Sequence, residues 1–443
     1  MNYWLVRAKW SGDDKTTQFI QNDEWINGYD DKYLDIVNRV EEGDILLLAD
    51  NSLVYYFAKC EENPQDGQHI VVDKWKKFDK PIIFPAKGAY IKTIVKINNI
   101  ELIEKSKLAI EELKAKESIL IKSIELKNFT LFNNHTLIFS SGLNVFIGEN
   151  GTGKTQLLKL LYSLTKTNNL MDTHSNNIKE ILKPTVIGNL ISKGKDRSEI
   201  HLHLNVSRFS FSFTRDSIDS TFNKKEEIYN KEVIFIPAKE ILSFYTGFLS
   251  IYRQTSFDKT FDDLANNLGK IIPKNRVLEN FEEKILKDLE EILGGKIILE
   301  EDRFYLLEDD GNRREITLVA EGARKLGTIF HLLANETIQK RGILFWDEPE
   351  SNLNPKFIKY VAKMLLELEK AGIQIFIATH SLFLVNEIEI LREKENNIEY
   401  FSFGFDKEQA LRVSQSSKLE ELKDLVLLDE EIAQGDRFMS RRR

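Results

Sequence analysis

One stretch limits what this chain can fold into more than any other. Gly142-Leu143-Asn144-Val145-Phe146-Ile147-Gly148-Glu149-Asn150-Gly151-Thr152-Gly153-Lys154-Thr155 runs from an apolar segment through a glycine-rich loop into Gln156-Leu157-Leu158-Lys159-Leu160-Leu161. The pattern is G-x-x-x-x-G-K-[ST], the phosphate-binding P-loop, and it predicts a buried strand, a tight loop and a helix. Glycines let successive N–H groups point into one concavity, and the helix adds its positive N-terminal end. Asn150, Gly151, Thr152, Gly153, Lys154, Thr155 and Gln156 are therefore the expected nucleotide contacts. Lys154 is placed to reach the β- and γ-phosphates of ATP, and the Thr155 hydroxyl to take one position on Mg²⁺.

Two further apolar runs end in chemistry. Ile343-Leu344-Phe345-Trp346-Asp347-Glu348 is apolar at every position before two carboxylates, as in a strand of a parallel sheet covered on both faces. Ligands of such sheets sit beyond those strand ends. Asp347 is then the second Mg²⁺ ligand, and Glu348 the group that orients or deprotonates the attacking water. Ile373-Gln374-Ile375-Phe376-Ile377-Ala378-Thr379-His380-Ser381 ends in a histidine that would touch the γ-phosphate. Lys154, Glu348 and His380 form the expected catalytic set. His201 and His203 have the i, i+2 spacing of a metal pair, but no further ligand cluster accompanies them. Solvated strand residues are the simpler reading.

Together, Asn128-Phe129, the P-loop, Asp347-Glu348-Pro349-Glu350-Ser351-Asn352-Leu353-Asn354-Pro355 and Thr379-His380-Ser381 resemble the heads of ABC-type ATPases. The branch is that of the SMC-like AAA ATPases and the overcoming-lysogenization-defect (OLD) proteins of prokaryotic defence, and the likeness covers residues 119–405. The resemblance implies a mixed sheet with helices and an antiparallel subdomain. It also implies two heads paired head-to-tail, or a higher oligomer, each closing a signature loop on the other's nucleotide. That loop matches Val319-Ala320-Glu321-Gly322-Ala323-Arg324-Lys325, so Ala320, Gly322 and Arg324 join the nucleotide contacts by resemblance. Ala320 stands where the family has serine. Arg324 would supply charge there, or else form a surface salt bridge. The glutamine-loop position falls near Lys239 and Glu240, where there is no glutamine.

Residues 1–98 are rich in aromatics and short strand-like runs, at Tyr3–Ala8, Asp44–Leu48, Val54–Ala58, His69–Val72 and Thr93–Ile97, with one helical segment around Tyr33–Val40. A small β-barrel-like module is expected. The run Tyr3-Trp4-Leu5-Val6-Arg7-Ala8 with Trp10, Trp25, Asn27-Gly28-Tyr29-Asp30 and Val72-Asp73-Lys74-Trp75 resembles the EVE family of PUA-like domains. Such domains resemble readers of modified bases, in which a flipped base sits between aromatic walls. Trp10, Trp25 and Tyr29 are the candidate walls, with core packing as the alternative for each ring. Stacking of roughly 1–3 kcal/mol per ring would offset the cost of extrusion. Residues 99–118 alternate in charge and read as an exposed linker helix; residues 119–443 form the ATPase head, closed by a leucine-bearing helical tail expected to pack on it.

Composition narrows the partners. A net charge of −8 means that nucleic acid must be met by a local patch or pocket. One cysteine, Cys60, excludes an internal disulfide framework and a cysteine-built zinc site. No apolar run reaches the ~20 residues of a membrane span, and the N-terminus lacks a signal-peptide core, so a cytoplasmic protein without a membrane partner is expected. The whole predicts an α/β Mg²⁺-dependent ATPase that dimerises on ATP and senses modified or foreign nucleic acid, modified DNA included. No nuclease constellation is visible, so cutting would fall to a separate effector subunit. A recombination-mediator-like DNA clamp and an ATP-gated scaffold with little turnover are the alternatives.

Overall fold

The strand that carries the P-loop lies at the heart of a six-stranded sheet because every one of its side chains is apolar or internally bonded. The computed structural model describes residues 2–10, 13–50, 52–84, 93–116, 119–166, 172–205, 207–215, 218–223, 233–248, 257–273, 278–423 and 425–441. These divide into two units, Met1–Glu117 and Ser118–Arg443.

In the first unit, β1 (Tyr3–Arg7), β2 (Lys9–Trp10), β3 (Asp13–Asp14), α1 (Thr16–Asn22), β4 (Glu24–Ile26), α2 (Leu34–Val37), β5 (Ile45–Asp50), β6 (Leu53–Glu62), β7 (His69–Val72), β8 (Lys76–Ile83), β9 (Ile94–Lys96) and α3 (Ile100–Lys116) follow in order. One sheet runs β4-β7-β6-β5-β1-β9, with β8 also on β6 and β1 parallel to β5. Alternate residues of β1 feed two cores. Trp4 and Val6 join Trp25, Leu48 and Ile70, while Tyr3 and Leu5 join Phe57 and Phe78. Among the described residues the edge strands β4 and β9 do not pair with each other. The segment read as an exposed linker is a helix, α3, but Leu102 and Ile110 bury one face of it in the second of these cores. Leu102 and Ile110 stand eight residues apart with the buried Ser106 between them, and the surrounding lysines and glutamates hid the buried stripe.

The second unit fulfils the α/β expectation. Strands β10 (Ile121–Phe129), β11 (Phe132–Ile138), β13 (Arg197–Leu204), β14 (Arg208–Thr214) and β15 (Ile218–Asn223) form an antiparallel sheet in the order β11-β10-β13-β14-β15. Every second residue of β13 is buried and the others are partly wet, as its alternating sequence requires. The main sheet takes β12 (Leu143–Gly148), β16 (Val233–Ile236), β20 (Ile343–Asp347), β21 (Gln374–Thr379), β22 (Ile398–Phe405) and β23 (Leu411–Ser416) in the order β16-β20-β21-β12-β22-β23. All are parallel except β23. A small sheet of β17 (Gly295–Glu300), β18 (Arg303–Glu308) and β19 (Arg313–Glu315) completes the strands.

Helices α4 (Lys154–Thr165), α5 (Asp172–Leu182), α6 (Lys259–Leu268), α7 (Asn280–Leu293), α8 (Glu321–Ala334), α9 (Pro355–Lys370) and α10 (Leu382–Leu391) cover the main sheet. Two large cores result, one on each face: Val145, Trp346 and Ile377 point to one, Phe146, Phe345 and Phe376 to the other. The buried Gln374 side chain donates to the Ile121 and Ser140 carbonyls at 2.9 and 2.7 Å and accepts from Ile121 N–H at 2.8 Å, fastening the antiparallel sheet to the parallel one. The tail packs on the head at its start: Leu425 is buried and Leu419, Leu422 and Leu427 are partly buried against the same core, whereas the helix that begins there, α11 (Val426–Ser440), has no fully buried residue. No helix among the described residues is long and apolar enough to cross a membrane.

Candidate nucleotide site

The strand order puts the ends of β12, β21 and β20 side by side, so the P-loop, His380 and the Asp347–Glu348 pair meet by register. Ile147 lies opposite Thr379, and Asp347 opposite Ala378. At the end of β12 the backbone of Gly148 approaches β22 so closely that a Cβ would lie 2.0 Å from the Phe403 carbonyl, at a φ of +154°. No other residue fits there.

The loop that follows bends back on itself, with Thr152 Oγ1 donating to the Glu149 carbonyl at 2.8 Å. Lys154 is 4% exposed, and its ammonium donates to the Gly148 and Glu149 carbonyls at 2.8 and 2.6 Å. Burial lowers it from 10.5 to about 8, against the pull of Asp347, Glu348, Glu350 and Glu149, which favour the charged form. A cavity of about 540 Å³ opens in front of it. Asn150, Gly151, Gly153, Lys154, Thr155 and Gln156 line one side, Glu348 and His380 another, and Thr130–Leu131 with Asn189–Ile191 a third. Thr152 is fully buried behind the loop and supports it from within.

Thr155 Oγ1 donates to both Asp347 carboxylate oxygens, at 2.9 and 3.1 Å. Burial raises the Asp347 carboxyl from 3.8 to about 6, opposed by the Thr155 hydroxyl and raised further by Glu348. A hydroxyl and a buried carboxylate converging on one point are hard oxygen donors, and the pair fits Mg²⁺.

Glu348 adopts left-handed backbone geometry at φ +46°, with its N–H bonded to the Ala378 carbonyl at 2.8 Å. Its Oε1 lies 3.5 Å from His380 Nε2. The other ring nitrogen, Nδ1, is 2.8 Å from the Gly148 carbonyl, which can only accept, so Nδ1 carries the proton in that bond. Glu350 fixes the base of the histidine: its Oε1 accepts from Thr379 Oγ1 at 2.6 Å and from His380 N–H at 3.0 Å. Glu350 was visible in the motif without a role; its place in the strand-end turn, two residues past Glu348, was the available signal.

The signature-loop residues stand apart from this cavity's lining. Ala320 caps α8 without a side-chain bond and is exposed with Glu321, leaving that helix N-terminus open. Gly322 is buried, where a Cβ would meet the Asn352 carbonyl at 2.7 Å. Arg324 is not free. Its Nε donates to Glu240 at 2.8 Å and its Nη1 to the Val319 carbonyl at 2.6 Å, so of the two roles expected it takes the salt bridge, and that bridge is largely buried. Next to it Lys325, which sequence reasoning passed over, is 3% exposed and lowered by burial to about 8.

The candidate base walls also separate. Trp25 is fully buried in the first unit's core, its indole N–H on the Arg7 carbonyl at 3.0 Å, so it presents no face to a ligand. Tyr29 is half-buried, edge-on to Tyr33 at 5.8 Å, with the Lys32 ammonium 5.4 Å from its ring centroid. The Trp10 side chain lies outside the described residues. His201 bonds to Ser210 at 2.8 Å and His203 faces Glu125 at 3.4 Å; among the described residues no group of His, Cys, Asp or Glu side chains is disposed to hold a metal on its own. Cys60 is buried, its thiol pushed up to about 11.

A family profile described as "AAA domain, putative AbiEii toxin, Type IV TA system" matches residues 143–386, more than half of the chain. The chain belongs to this AAA family. It is an ATPase, and the matched span of the AAA domain runs from the P-loop strand through His380. The DNA replication and repair protein RecF of Streptococcus pyogenes serotype M5 (strain Manfredo) is 49% identical over 47 residues, 11% of this chain and 13% of that protein. The chain thus matches about an eighth of the length of such curated relatives. Among solved structures, an Smc head bound to the C-winged helix domain of ScpA is 15% identical at a TM-score of 0.45, covering 68% of this chain and 98% of that one. The SMC head domain from Thermotoga maritima is 13% identical at 0.40, covering 67% and 99%.

Proposed function

We propose that this AAA-family ATPase hydrolyses ATP at the cavity between the P-loop and β20, with Mg²⁺, as a pair of heads that couples turnover to recognition of foreign or modified nucleic acid. The observation that carries the reading is the meeting of Lys154, Thr155 with Asp347, and Glu348 with His380 around one cavity, from three separated stretches of chain. On ATP entry the Lys154 ammonium exchanges the Gly148 and Glu149 carbonyls for β- and γ-phosphate oxygens, and the loop N–H groups take the rest. Thr155 and Asp347 would hold Mg²⁺, which when bound neutralises phosphate charge. Glu348 orients the water that attacks the γ-phosphorus and accepts its proton as the bond to ADP breaks. His380, kept in one orientation by Gly148 and Glu350, points Nε2 at the same place.

The open, exposed N-terminus of α8 at Ala320 supports a second copy closing on the nucleotide. The first unit is the proposed reader. Tyr29, Tyr33 and Lys32 form its aromatic and cationic corner, whereas Trp25 is withdrawn from that role. The family's description, which names an AbiEii toxin and a type IV toxin–antitoxin system, supports a setting in prokaryotic defence. Cutting would fall to a separate effector. The short match to RecF favours a second reading, a DNA-repair clamp in which the head itself holds duplex.

Glu348→Gln tests the chemistry. Its turnover is expected to fall by roughly 10²–10⁴-fold, the range for a lost general base, while ATP binding persists and the protein sediments as a pair with ATP. Parental turnover in that variant would overturn the assignment. Duplex binding measured against salt separates the two settings. A preference for modified bases supports the reader, and a steep salt slope without preference supports the clamp.

A further inference from the structure

Lys325 lies near the start of α8, three residues past the buried Gly322, and is 3% exposed. It donates to three oxygens on two other segments: the Ala238 carbonyl beyond β16 at 3.1 Å, the Glu348 carbonyl and the Ser351 hydroxyl. The neighbouring Arg324 fastens the same helix to Glu240. The start of α8 is thus bonded to both loops that follow β16 and β20.

The bond to Glu348 has a particular consequence. The main chain of that residue is left-handed, which costs a non-glycine residue energy and persists only where its surroundings hold it. Its N–H is held by the Ala378 carbonyl and its C=O accepts from Lys325 and from Ser351 N–H at 3.1 Å. The direction of the Cα–Cβ bond, and so the aim of the carboxylate, follows from that conformation. Without the ammonium the Glu348 carbonyl would keep only the Ser351 N–H as donor. A purely packing residue at this position would be apolar.

We propose that Lys325 is a positioning residue that ties the aim of the Glu348 carboxylate to the seat of α8. The inference rests on Glu348 acting on the attacking water. It assigns Lys325 no contact with nucleotide.

A double-mutant cycle tests it in the full-length protein. With saturating ATP, Lys325→Met is expected to lower single-turnover hydrolysis by between about 10- and 100-fold, the scale of an ångström-level misplacement, with affinity for a non-hydrolysable ATP analogue within about threefold of the parent. Placed on Glu348→Gln it should cause no further loss, since the two residues act as one unit. An equal loss in both backgrounds, or no loss in either, overturns the proposal. If Lys325→Met does not fold, Ser351→Ala, which removes one acceptor, is carried through the same cycle with a smaller expected loss and the same criterion. Parental turnover by Glu348→Gln alone would instead remove the reading beneath it, and the single variant reports that separately.

Discussion

Lys154 and Lys325 sit in closely similar surroundings and have different prospects. Each is almost fully buried, each donates to main-chain carbonyls, and burial lowers each to about 8 under the field of Asp347, Glu348 and Glu350. The difference is what lies in front of them. Lys154 lines a cavity of about 540 Å³ and has carbonyl partners that a phosphate can replace, whereas Lys325 is absent from that lining and its acceptors come from within the fold. A perturbed, buried ammonium therefore does not by itself mark a ligand group. The exchangeability of its partners does.

The strongest way to break this contrast is to remove each ammonium in turn. Lys154→Met should weaken ATP binding by roughly 10²-fold or more, since charge-assisted bonds contribute about 1.5–3 kcal/mol each. It should leave the melting temperature of nucleotide-free protein unchanged or higher, because an awkward burial is relieved. Lys325→Met should do the reverse, holding affinity and lowering stability. Equal losses of affinity in calorimetric titrations would make the two lysines one class.

Asp347, which faces both, gives the next effect. Its folded-state carboxyl titrates near 6 against an ordinary 3.8, so between those values the folded protein binds more protons than the unfolded chain. Stability then falls as pH rises through that window and the penalty is complete above it. The two-unit shift corresponds to about 1–3 kcal/mol after allowing for the neighbouring lysines. Asp347→Asn is expected to melt higher than the parent at pH 7, by about 2–8 °C, with the gap closing toward pH 4. It should also lose the further stabilisation that ATP with Mg²⁺ gives the parent. A gap independent of pH would mean that the carboxyl is not the strained group.

What was legible beforehand follows the same division. The P-loop, the ends of β20 and β21, and the alternation of β13 could be read because each is a local pattern whose physics acts within a few residues. Lys325 and Glu350 could not, since their roles depend on which strand ends the topology brings together. Trp25 and Tyr29 were indistinguishable as aromatic residues in a strand-rich region; burial of one against Arg7 and partial exposure of the other arise from pairing between β4 and β7. The buried face of α3 was masked by the charges around Leu102 and Ile110.

The smallest expected effect probes the turn that presents Glu348 and Ser351 to Lys325. That turn contains a second left-handed residue, Asn352 at φ +62°, whose exposed side chain donates to Glu321 at 2.8 Å. Asparagine tolerates this conformation and alanine does so at about 1–2 kcal/mol, so Asn352→Ala should lower the melting temperature by about 2–4 °C. Asn352→Gly keeps the backbone but loses the bond to Glu321, which is worth little in solvent, and should stay nearer the parent. If alanine and glycine cost the same, the side-chain bond rather than the backbone holds the turn. If Asn352→Ala also slows hydrolysis while Asn352→Gly does not, the geometry of the turn matters to Glu348 through the backbone, and the separation between Lys154 as a ligand group and Lys325 as a positioning group gains a third, independent support.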